Sequence, residues 1–201
     1  MTLYLATSNP GKLADFAGME RMPALLPGFA ALPSIEETGA TFEANARLKA
    51  EHYSRFAPPD AAVLADDSGL EVDALAGAPG VYSARFAGEP SDDAANNALL
   101  LARLRGLPPG SRTARFVCLL ALARAGSTLA TFRGEAAGII LDAPRGSYGF
   151  GYDPLFYSPE AGCAFAELTP EQKAGFSHRG RAARALMRWL AAPSPVHQAA
   201  L

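Results

Sequence analysis

Two adjacent carboxylates, Asp66 and Asp67, follow an apolar run near the first third of the chain. Residues 63–65 predict a buried strand, and residues 66–69 predict the turn that ends it. Burial of a lone carboxylate costs on the order of several kcal/mol, so these groups must be hydrated, paired or bound to a metal ion. Side chains alternate across a strand, and Asp67 lies nearer the loop, so we predict a divalent-metal ligand at Asp67. The alternative is a turn in which Asp and Ser cap backbone donors.

A polar turn separates a predicted strand, residues 3–7, from a predicted helix that runs from residue 12 to about residue 20. Backbone N–H groups at a helix start point toward an anion, Gly11 permits close approach, and Lys12 adds a positive charge. The phosphate-binding candidates in this turn are Thr7, Ser8, Asn9, Pro10, Gly11 and Lys12. The P-loop spacing of glycine and lysine is absent, so an ordinary capped turn with a solvated lysine is the alternative.

A second positive charge lies on a predicted helix that Thr41 caps and that continues to about Phe56. Asn45 and Lys49 are one helical turn apart and therefore share a face, from which the lysine can reach a phosphate. A solvated helix face is the alternative interpretation of the same pattern.

Glycines alternate with aromatic residues between residues 146 and 154. A base could lie flat against such a backbone while Phe150 stacks on it and Asp153 reads its edge. The alternative is a glycine-rich turn that places aromatic rings in the core, and we expect Tyr148 and Tyr152 to follow that pattern.

Two donors open the last predicted helix, for which Ser177 is the expected cap. His178 and Arg179 can donate to a carbonyl or a phosphate, and the planar guanidinium suits either acceptor. A short helical turn that begins at Thr169 and Pro170 precedes them. A histidine with a purely structural role is the alternative.

The segments between these motifs predict a further helix and two strands. Ser91 predicts the cap of a helix that ends near Arg105, and two strand-like runs, residues 113–123 and 128–141, predict antiparallel neighbours. Residues 143–168 predict a mainly loop-rich segment. Helices combined with both spaced and hairpin-linked strands indicate an α/β fold with a mixed sheet.

Composition limits the function classes. The 18 Lys and Arg against 20 Asp and Glu give a formal net charge of −2, which lacks the positive footprint of a protein that binds nucleic-acid polymers. We expect a cytoplasmic protein with no membrane partner, because the two cysteines, Cys118 and Cys163, suit a reducing compartment and no run predicts a signal peptide or membrane span. The length predicts one domain over residues 1–192 and a flexible tail over residues 193–201.

Taken in order, these segments resemble the inosine triphosphate pyrophosphatase family, also known as the non-canonical purine NTP pyrophosphatases. The resemblance runs from residue 3 to about residue 190. Its marks are Thr-Ser-Asn-Pro-Gly-Lys, Glu-Thr-Gly-x-Thr-Phe-x-x-Asn-Ala with Lys49, Ala-Asp-Asp-Ser-Gly-Leu, Gly-Ala-Pro-Gly-Val-Tyr-Ser-Ala-Arg, Gly-Phe-Gly-Tyr-Asp-Pro and Ser-His-Arg-Gly. Agreement of so many motifs in one order is not explained by chance.

The resemblance implies a two-lobed α/β fold around a long mixed β-sheet, a nucleotide-binding cleft between the lobes, and a homodimer. It implies that residues 7–12 and Lys49 hold the phosphates and that Ser68 contacts the nucleotide. It also implies that Asp67 is the catalytic base and a magnesium ligand, and that Glu37 completes the metal site. The implied base and sugar end consists of Phe150, Gly151, Tyr152, Asp153, Lys173, His178 and Arg179.

The implied reaction is magnesium-dependent hydrolysis of ITP, dITP and XTP to the nucleoside monophosphate and pyrophosphate, which cleanses the nucleotide pool. Asp67 would take the proton of a metal-activated water, while Lys12 and Lys49 stabilise the departing charge. Donors from His178, Arg179 and the nearby backbone suit O6 of a 6-keto purine and would be left unpaired against adenine.

The chain departs from the family pattern at three positions, which bear on substrate preference rather than on activity. Ser8 stands where many members carry Gly, Cys163 where Thr is common, and Ala174 where Asn often follows the lysine. Two alternatives are a Maf-like pyrophosphatase that acts on pyrimidine nucleotides and a nucleotide sensor that binds without cleaving. The segments around Phe150 and His178 disfavour the first, and the catalytic carboxylate with both lysines disfavours the second.

Overall fold

The computed structural model of the chain describes residues 2–17 and 23–192. The described helices are α1 (Pro10–Ala17), α2 (Phe42–Ser54), α3 (Asp93–Arg103), α4 (Pro170–Phe176) and α5 (His178–Ala191). The described strands are β1 (Thr2–Ala6), β2 (Ala24–Leu25), β3 (Ala61–Val72), β4 (Thr113–Arg124), β5 (Ser127–Ile140), β6 (Phe156–Ser158) and β7 (Cys163–Ala164). The predicted tail, residues 193–201, and the predicted end of the first helix, residues 18–20, lie outside the described residues.

The seven strands of the described residues form one mixed sheet in the order β2-β1-β3-β4-β5-β6-β7. β1 pairs in parallel with β2 and β3, whereas the neighbours from β3 to β7 are antiparallel. The predicted α/β fold with a mixed sheet is therefore confirmed. The division into two lobes stays a prediction.

The long hairpin of β4 and β5 forms the centre of the sheet. Its strands pair antiparallel from Thr113 opposite Ile139 to Arg124 opposite Ser127, as predicted. The turn between them consists of Ala125 and Gly126, both with positive φ, which suits the twist of a two-residue hairpin turn. β6 and β7 extend this sheet within a segment that was predicted to be mainly loop.

The prediction that the strand of residues 63–65 ends in a turn over residues 66–69 is wrong. β3 continues through the two carboxylates to Val72 and pairs with β4 along this whole length, including Asp66 opposite Leu120 and Asp67 opposite Leu119. Acidic residues are tolerated inside a buried strand only when cations neutralise them, and those cations come from distant parts of the chain. The sequence around β3 does not reveal them.

Helices cover both faces of the sheet. α2 packs on the face that contains Val63 and Ala65, whereas α1 and α5 pack on the face that contains Leu64 and Leu120. Since side chains alternate along β3, Asp66 belongs to the face of α1 and α5, and Asp67 belongs to the face of α2. The predicted opposite orientation of the two carboxylates is confirmed by their different partners, described below.

The predicted helix N-caps are correct, with one exception. Thr41 accepts from the N–H of Ala44 and Ser177 accepts from the N–H of Gly180, so both predicted caps are confirmed. Ser91 does not cap α3; Asp92 accepts from the N–H of Ala95 instead. No helix among the described residues is long and apolar enough to cross a membrane.

Candidate active site

A cavity of about 410 Å³ opens between the sheet, α2, α3 and the segments that lead into α4 and α5. This volume lies in the range of roughly 300–1,000 Å³ that is typical of small-molecule sites. The structure brings most of the predicted residues to its wall: Thr7, Ser8, Asn9, Lys12, Glu37, Lys49, Asp67, Ser68, Phe150, Gly151, Tyr152, Asp153, Lys173, His178 and Arg179. Two further predicted residues, Pro10 and Gly11, begin α1 and do not line the cavity.

The polar turn before α1 is both capped and charged. The side-chain oxygen of Asn9 accepts from the N–H of Lys12 at 3.1 Å, and the hydroxyl of Thr7 accepts from the N–H of Asn9 at 3.2 Å. Lys12 is not a solvated lysine, because its ammonium forms an ion pair with the buried carboxylate of Asp66. The turn therefore delivers a fixed positive charge to the cavity.

Asp66 organises the face of the sheet that packs on α1 and α5. Besides Lys12, it accepts from Nε of Arg179 at 3.2 Å and from the hydroxyl of Ser68 at 2.9 Å. Burial disfavours its ionised form, but the charges of Lys12 and then Arg179 outweigh this effect and hold the pKa of Asp66 well below its usual range. Asp66 is thus an ionised carboxylate whose charge is neutralised by Lys12 and Arg179.

Asp67 has a different environment on the opposite face. Its Oδ1 lies 2.9 Å from Nζ of Lys49, while its Oδ2 is buried without a hydrogen-bond partner. Burial raises the pKa of Asp67 to about 6, against the opposing charge of Lys49. One oxygen of this carboxylate therefore has no donor within the protein, and the raised pKa places proton exchange near neutral pH.

Glu37 is brought to the same place by the loop before α2. Its Oε2 lies 3.2 Å from Nζ of Lys49, so the ammonium joins the two carboxylates. Asn45 does not line the cavity; its side-chain oxygen accepts from the N–H of Gly39 at 2.7 Å and fixes the loop that carries Glu37. α2 thereby positions both the lysine and the loop carboxylate.

The pair of Asp67 and Glu37 could hold a magnesium ion. Within the described ranges, no group of three or more His, Cys, Asp or Glu side chains gathers to bind a metal. Magnesium is commonly bound by only one or two carboxylates and completes its shell with substrate phosphates and water. Asp67 and Glu37 both lie beside the ammonium of Lys49, and Oδ2 of Asp67 has no hydrogen-bond partner. The two carboxylates therefore fit that pattern.

Lys173 and Arg179 of the cavity wall pair with a buried acid that the sequence analysis missed, Asp15 on α1. Its oxygens lie 3.0 and 3.2 Å from Nζ of Lys173, and it also pairs with Nη1 of Arg179. Lys173 in turn lies 2.6 Å from Oδ2 of Asp153. The available signal was its position directly beside the buried Phe16, where an acid needs a cationic partner.

Asp153 fixes the turn that carries the aromatic ring of Phe150. It accepts from the N–H of Phe150 at 3.0 Å, and the ring of Phe150 packs closely over Gly11, where a Cβ would come within 2.4 Å of it. Burial raises the pKa of Asp153, with Lys173 opposing. Tyr152 is buried as predicted and donates to the carbonyl of Ser83 at 2.8 Å.

Two predictions at this end need correction or refinement. Tyr148 is 52% exposed rather than part of the core. His178 is buried against Phe116, with ring centroids 4.7 Å apart and planes nearly parallel, and its Nδ1 has no hydrogen-bond partner. Burial, and next the neighbouring charge of Arg179, hold the pKa of His178 well below its usual range, so the imidazole is neutral. A neutral ring can offer a donor or an acceptor to a ligand.

Comparisons of the whole chain with known proteins identify its family. The model of the Ham1 family matches residues 3–189. The chain belongs to the Ham1 family. A dITP/XTP pyrophosphatase of Acidobacterium capsulatum is 53% identical to this Ham1 chain over 201 residues, which cover 93% of this chain and 97% of the relative.

Two further relatives extend the comparison to another bacterium and to a solved structure. A dITP/XTP pyrophosphatase of Desulforamulus reducens is 50% identical over 94% of this chain and 96% of its own length. The structure of the Ham1 protein of Staphylococcus aureus has a TM-score of 0.81 and 40% identity, and the match covers 94% of this chain and 97% of that one. The resemblance found from the motifs is therefore confirmed over nearly the whole chain.

Proposed function

We propose that this chain hydrolyses non-canonical purine nucleoside triphosphates, ITP, dITP and XTP, to the nucleoside monophosphate and pyrophosphate. The observation that carries the proposal is the arrangement of Asp67 and Glu37 around the ammonium of Lys49 at the cavity wall. Relatives that are named dITP/XTP pyrophosphatases match it over most of their length. Removal of such nucleotides would cleanse the nucleotide pool.

The charges of the cavity suit the cleavage between the α and β phosphates. Lys12 and Lys49 enter from two different helices and can neutralise the charge that develops on the leaving pyrophosphate. Asp67, with one free oxygen, can take the proton of the attacking water. A magnesium ion bound to Asp67 and Glu37 would supply charge neutralisation and a more acidic water.

The other end of the cavity suits a purine base. Phe150 offers a ring for stacking, and Lys173 and Arg179 lie at 5.2 and 5.7 Å from the centre of that ring. We propose that His178 and Arg179 donate to O6 of a 6-keto purine, with Asp15, Asp66 and Ser68 holding the guanidinium in place. Adenine carries a donor at that position and would leave these groups unpaired.

We also propose that the enzyme is a homodimer in the cytoplasm. The cytoplasmic assignment rests on two free cysteines, one of them buried beside Asp66. The dimer rests on the family resemblance alone. Size-exclusion chromatography with light scattering measures the mass directly, and a monomer at micromolar concentration would contradict the dimer.

A substrate panel with magnesium tests the proposed activity. Pyrophosphate release should be fast with ITP, dITP and XTP and much slower with ATP and UTP. Preferential cleavage of UTP would favour a Maf-like pyrimidine pyrophosphatase. Tight binding of ITP without pyrophosphate release, in protein whose fold is confirmed by circular dichroism, would favour a sensor.

A further inference from the structure

Helix α3 contacts the turn of Phe150 through two side chains that reach the same residue. Oδ2 of Asp93 accepts from the N–H of Gly151 at 2.7 Å, and Nδ2 of Asn97 donates to the carbonyl of Gly151 at 2.8 Å. The two side chains lie one helical turn apart on α3 and therefore point to the same side. Both backbone polar groups of Gly151 are thus satisfied by α3.

These contacts fix the backbone on one side of Phe150. The N–H of Gly151 belongs to the peptide unit that follows Phe150, and Asp93 binds it. The N–H of Phe150 belongs to the preceding peptide unit, and Asp153 binds it at 3.0 Å. Two peptide planes that are each held by a carboxylate restrict φ and ψ of Phe150, so the direction of its Cα–Cβ bond is set from both sides.

α3 is a firm support for this contact. The side chain of Asn96 accepts from the N–H of Ala87 at 2.7 Å and donates to the carbonyl of Ala84 at 3.0 Å, while Leu100 is fully buried in the core. The amide of Asn97 also donates to the carbonyl of Asp93 at 2.8 Å. The reversed amide would place its oxygen against two carbonyl oxygens, so its orientation is fixed.

We propose that Asp93 and Asn97 are positioning residues that hold the ring of Phe150 in its stacking orientation for the purine base. The inference rests on the proposed function, since it needs a base to stack. Neither residue contacts the phosphate end of the cavity through Lys12 or Lys49, whose partners are Asp66, Asp67 and Glu37. Their loss should therefore weaken nucleotide binding through the base alone.

Calorimetry with two probes separates the base from the phosphates: IMP, which carries the base, and inorganic tripolyphosphate, which does not. Asp93→Ala should weaken IMP binding about 3- to 10-fold, which corresponds to the usual net free energy of one hydrogen bond. Tripolyphosphate binding should change less than about twofold, since Asp93 pairs with neither Lys12 nor Lys49 at the phosphate end. Asp93→Asn keeps an acceptor and should restore most of the lost affinity.

A matched control and a double-mutant cycle test whether Asp93 acts through Phe150. Asp92→Ala removes the cap of α3 without touching Gly151, so IMP binding should stay within about twofold of wild type. In a Phe150→Ala background, Asp93→Ala should have little further effect on IMP, because the ring that it positions is gone.

The outcomes are distinct. Independent effects of Asp93→Ala and Phe150→Ala, or equal losses for IMP and tripolyphosphate, would overturn the positioning function while the proposed activity stands. An equal loss of IMP binding in Asp92→Ala would also overturn it, because general weakening of α3 would then be the cause. A wild-type protein that binds tripolyphosphate but not IMP, and releases no pyrophosphate from ITP, would overturn both proposals.

Discussion

The two adjacent carboxylates of β3 show how single residues of one motif acquire different chemistry. Asp66 is surrounded by Lys12, Arg179 and Ser68, and these donors hold its pKa well below the usual range despite its burial. Asp67 lies on the other face with one free oxygen, and burial raises its pKa to about 6. Asp66 therefore stabilises the fold, whereas Asp67 is available for chemistry.

This contrast predicts different losses for two matched substitutions. Asp67→Asn should lower kcat for ITP by at least ~100-fold, as expected for a lost base, with little change in stability. Asp66→Asn should instead reduce the free energy of unfolding by about 3–5 kcal/mol, because it leaves buried cations without their partner. Steady-state kinetics at saturating magnesium and urea unfolding measure the two effects. Near wild-type kcat in folded Asp67→Asn would exclude Asp67 as the base.

A further prediction concerns the ammonium that joins Asp67 and Glu37. Lys49→Met removes a positive charge from the place where magnesium is expected. Magnesium alone should therefore bind at least about fivefold more tightly. This factor corresponds to the repulsion of about 1 kcal/mol between two unit charges ~4 Å apart in water. ITP should bind less tightly, because the same lysine is expected to contact the phosphates. Calorimetry with magnesium chloride and then with ITP measures both. Weaker magnesium binding in the variant would place the ion elsewhere.

Among the helices and strands, features that depend on neighbouring residues were predicted better than features that depend on contacts with distant residues. Thr41 and Ser177 were found as caps because a cap depends on a few neighbouring residues. The hairpin of β4 and β5 followed from two long apolar runs separated by a short turn. The course of β3 could not be found in this way, because its acidic residues are compensated by cations from α1, α2 and α5.

The candidate site shows the same division. Sequence motifs predicted many of the residues that face the cavity, whereas Asp15, which holds two of them from behind, and Asp93, which lines the cavity and holds Gly151, were missed. The burial of Phe16 indicates that Asp15 needs a cationic partner, but the local sequence does not identify partners that lie 58 residues away for Asp93 and 164 residues away for Asp15. Supporting residues of this kind become visible only when the elements are packed.

The packing of α5 on β5 gives a prediction at this scale. A Cβ at Gly134 would lie 2.1 Å from the carbonyl oxygen of His178, so Gly134→Ala must displace the first turn of α5. We expect a loss of about 1–3 kcal/mol in stability, as for other overpacked sites, and at least about a tenfold lower kcat/KM for ITP. Unfolding by urea and steady-state kinetics measure these changes.

Gly175→Ala is the matched control for that experiment. Gly175 lies within α4, and a Cβ there meets nothing within 4 Å. The free energy of unfolding of the Gly175→Ala variant should stay the same or increase by up to about 1 kcal/mol, since alanine favours helix more than glycine does. Unchanged activity in Gly134→Ala would show that the close approach of α5 to β5 does not set the position of Arg179.

Across the whole molecule, the proposed base end of the cavity is supported by a buried set of charges that link α1, β3, the turn before β6 and the last two helices. Three acids, Asp15, Asp66 and Asp153, face three bases, Lys12, Lys173 and Arg179. The side chains of this set are nearly all inaccessible to solvent, so each charge depends on its partner. The neutral imidazole of His178 lies beside this set and adds no charge to it.

The neutral state of His178 predicts how stability of the whole protein depends on pH. Its pKa is lowered in the folded protein, so below the unfolded value of about 6.5 the unfolded chain binds one proton more than the folded chain. Stability contributed by this group is therefore present above about pH 6.5 and is lost as the pH falls. As long as the imidazole stays neutral in the folded protein, each pH unit below about 6.5 removes about 1.4 kcal/mol of stability.

Urea unfolding of the metal-free protein at about pH 7.5 and about pH 5, compared between wild type and His178→Gln, isolates this contribution. The raised pKa of Asp67 acts in the opposite direction below about pH 6, but it is common to both proteins and cancels in their difference. Wild type should lose about 2 kcal/mol more than the variant on acidification. Ser177→Ala, which removes the neighbouring cap, should instead lower stability by about 1 kcal/mol equally at both pH values. Parallel pH profiles for wild type and His178→Gln would mean that this buried imidazole takes up a proton without unfolding.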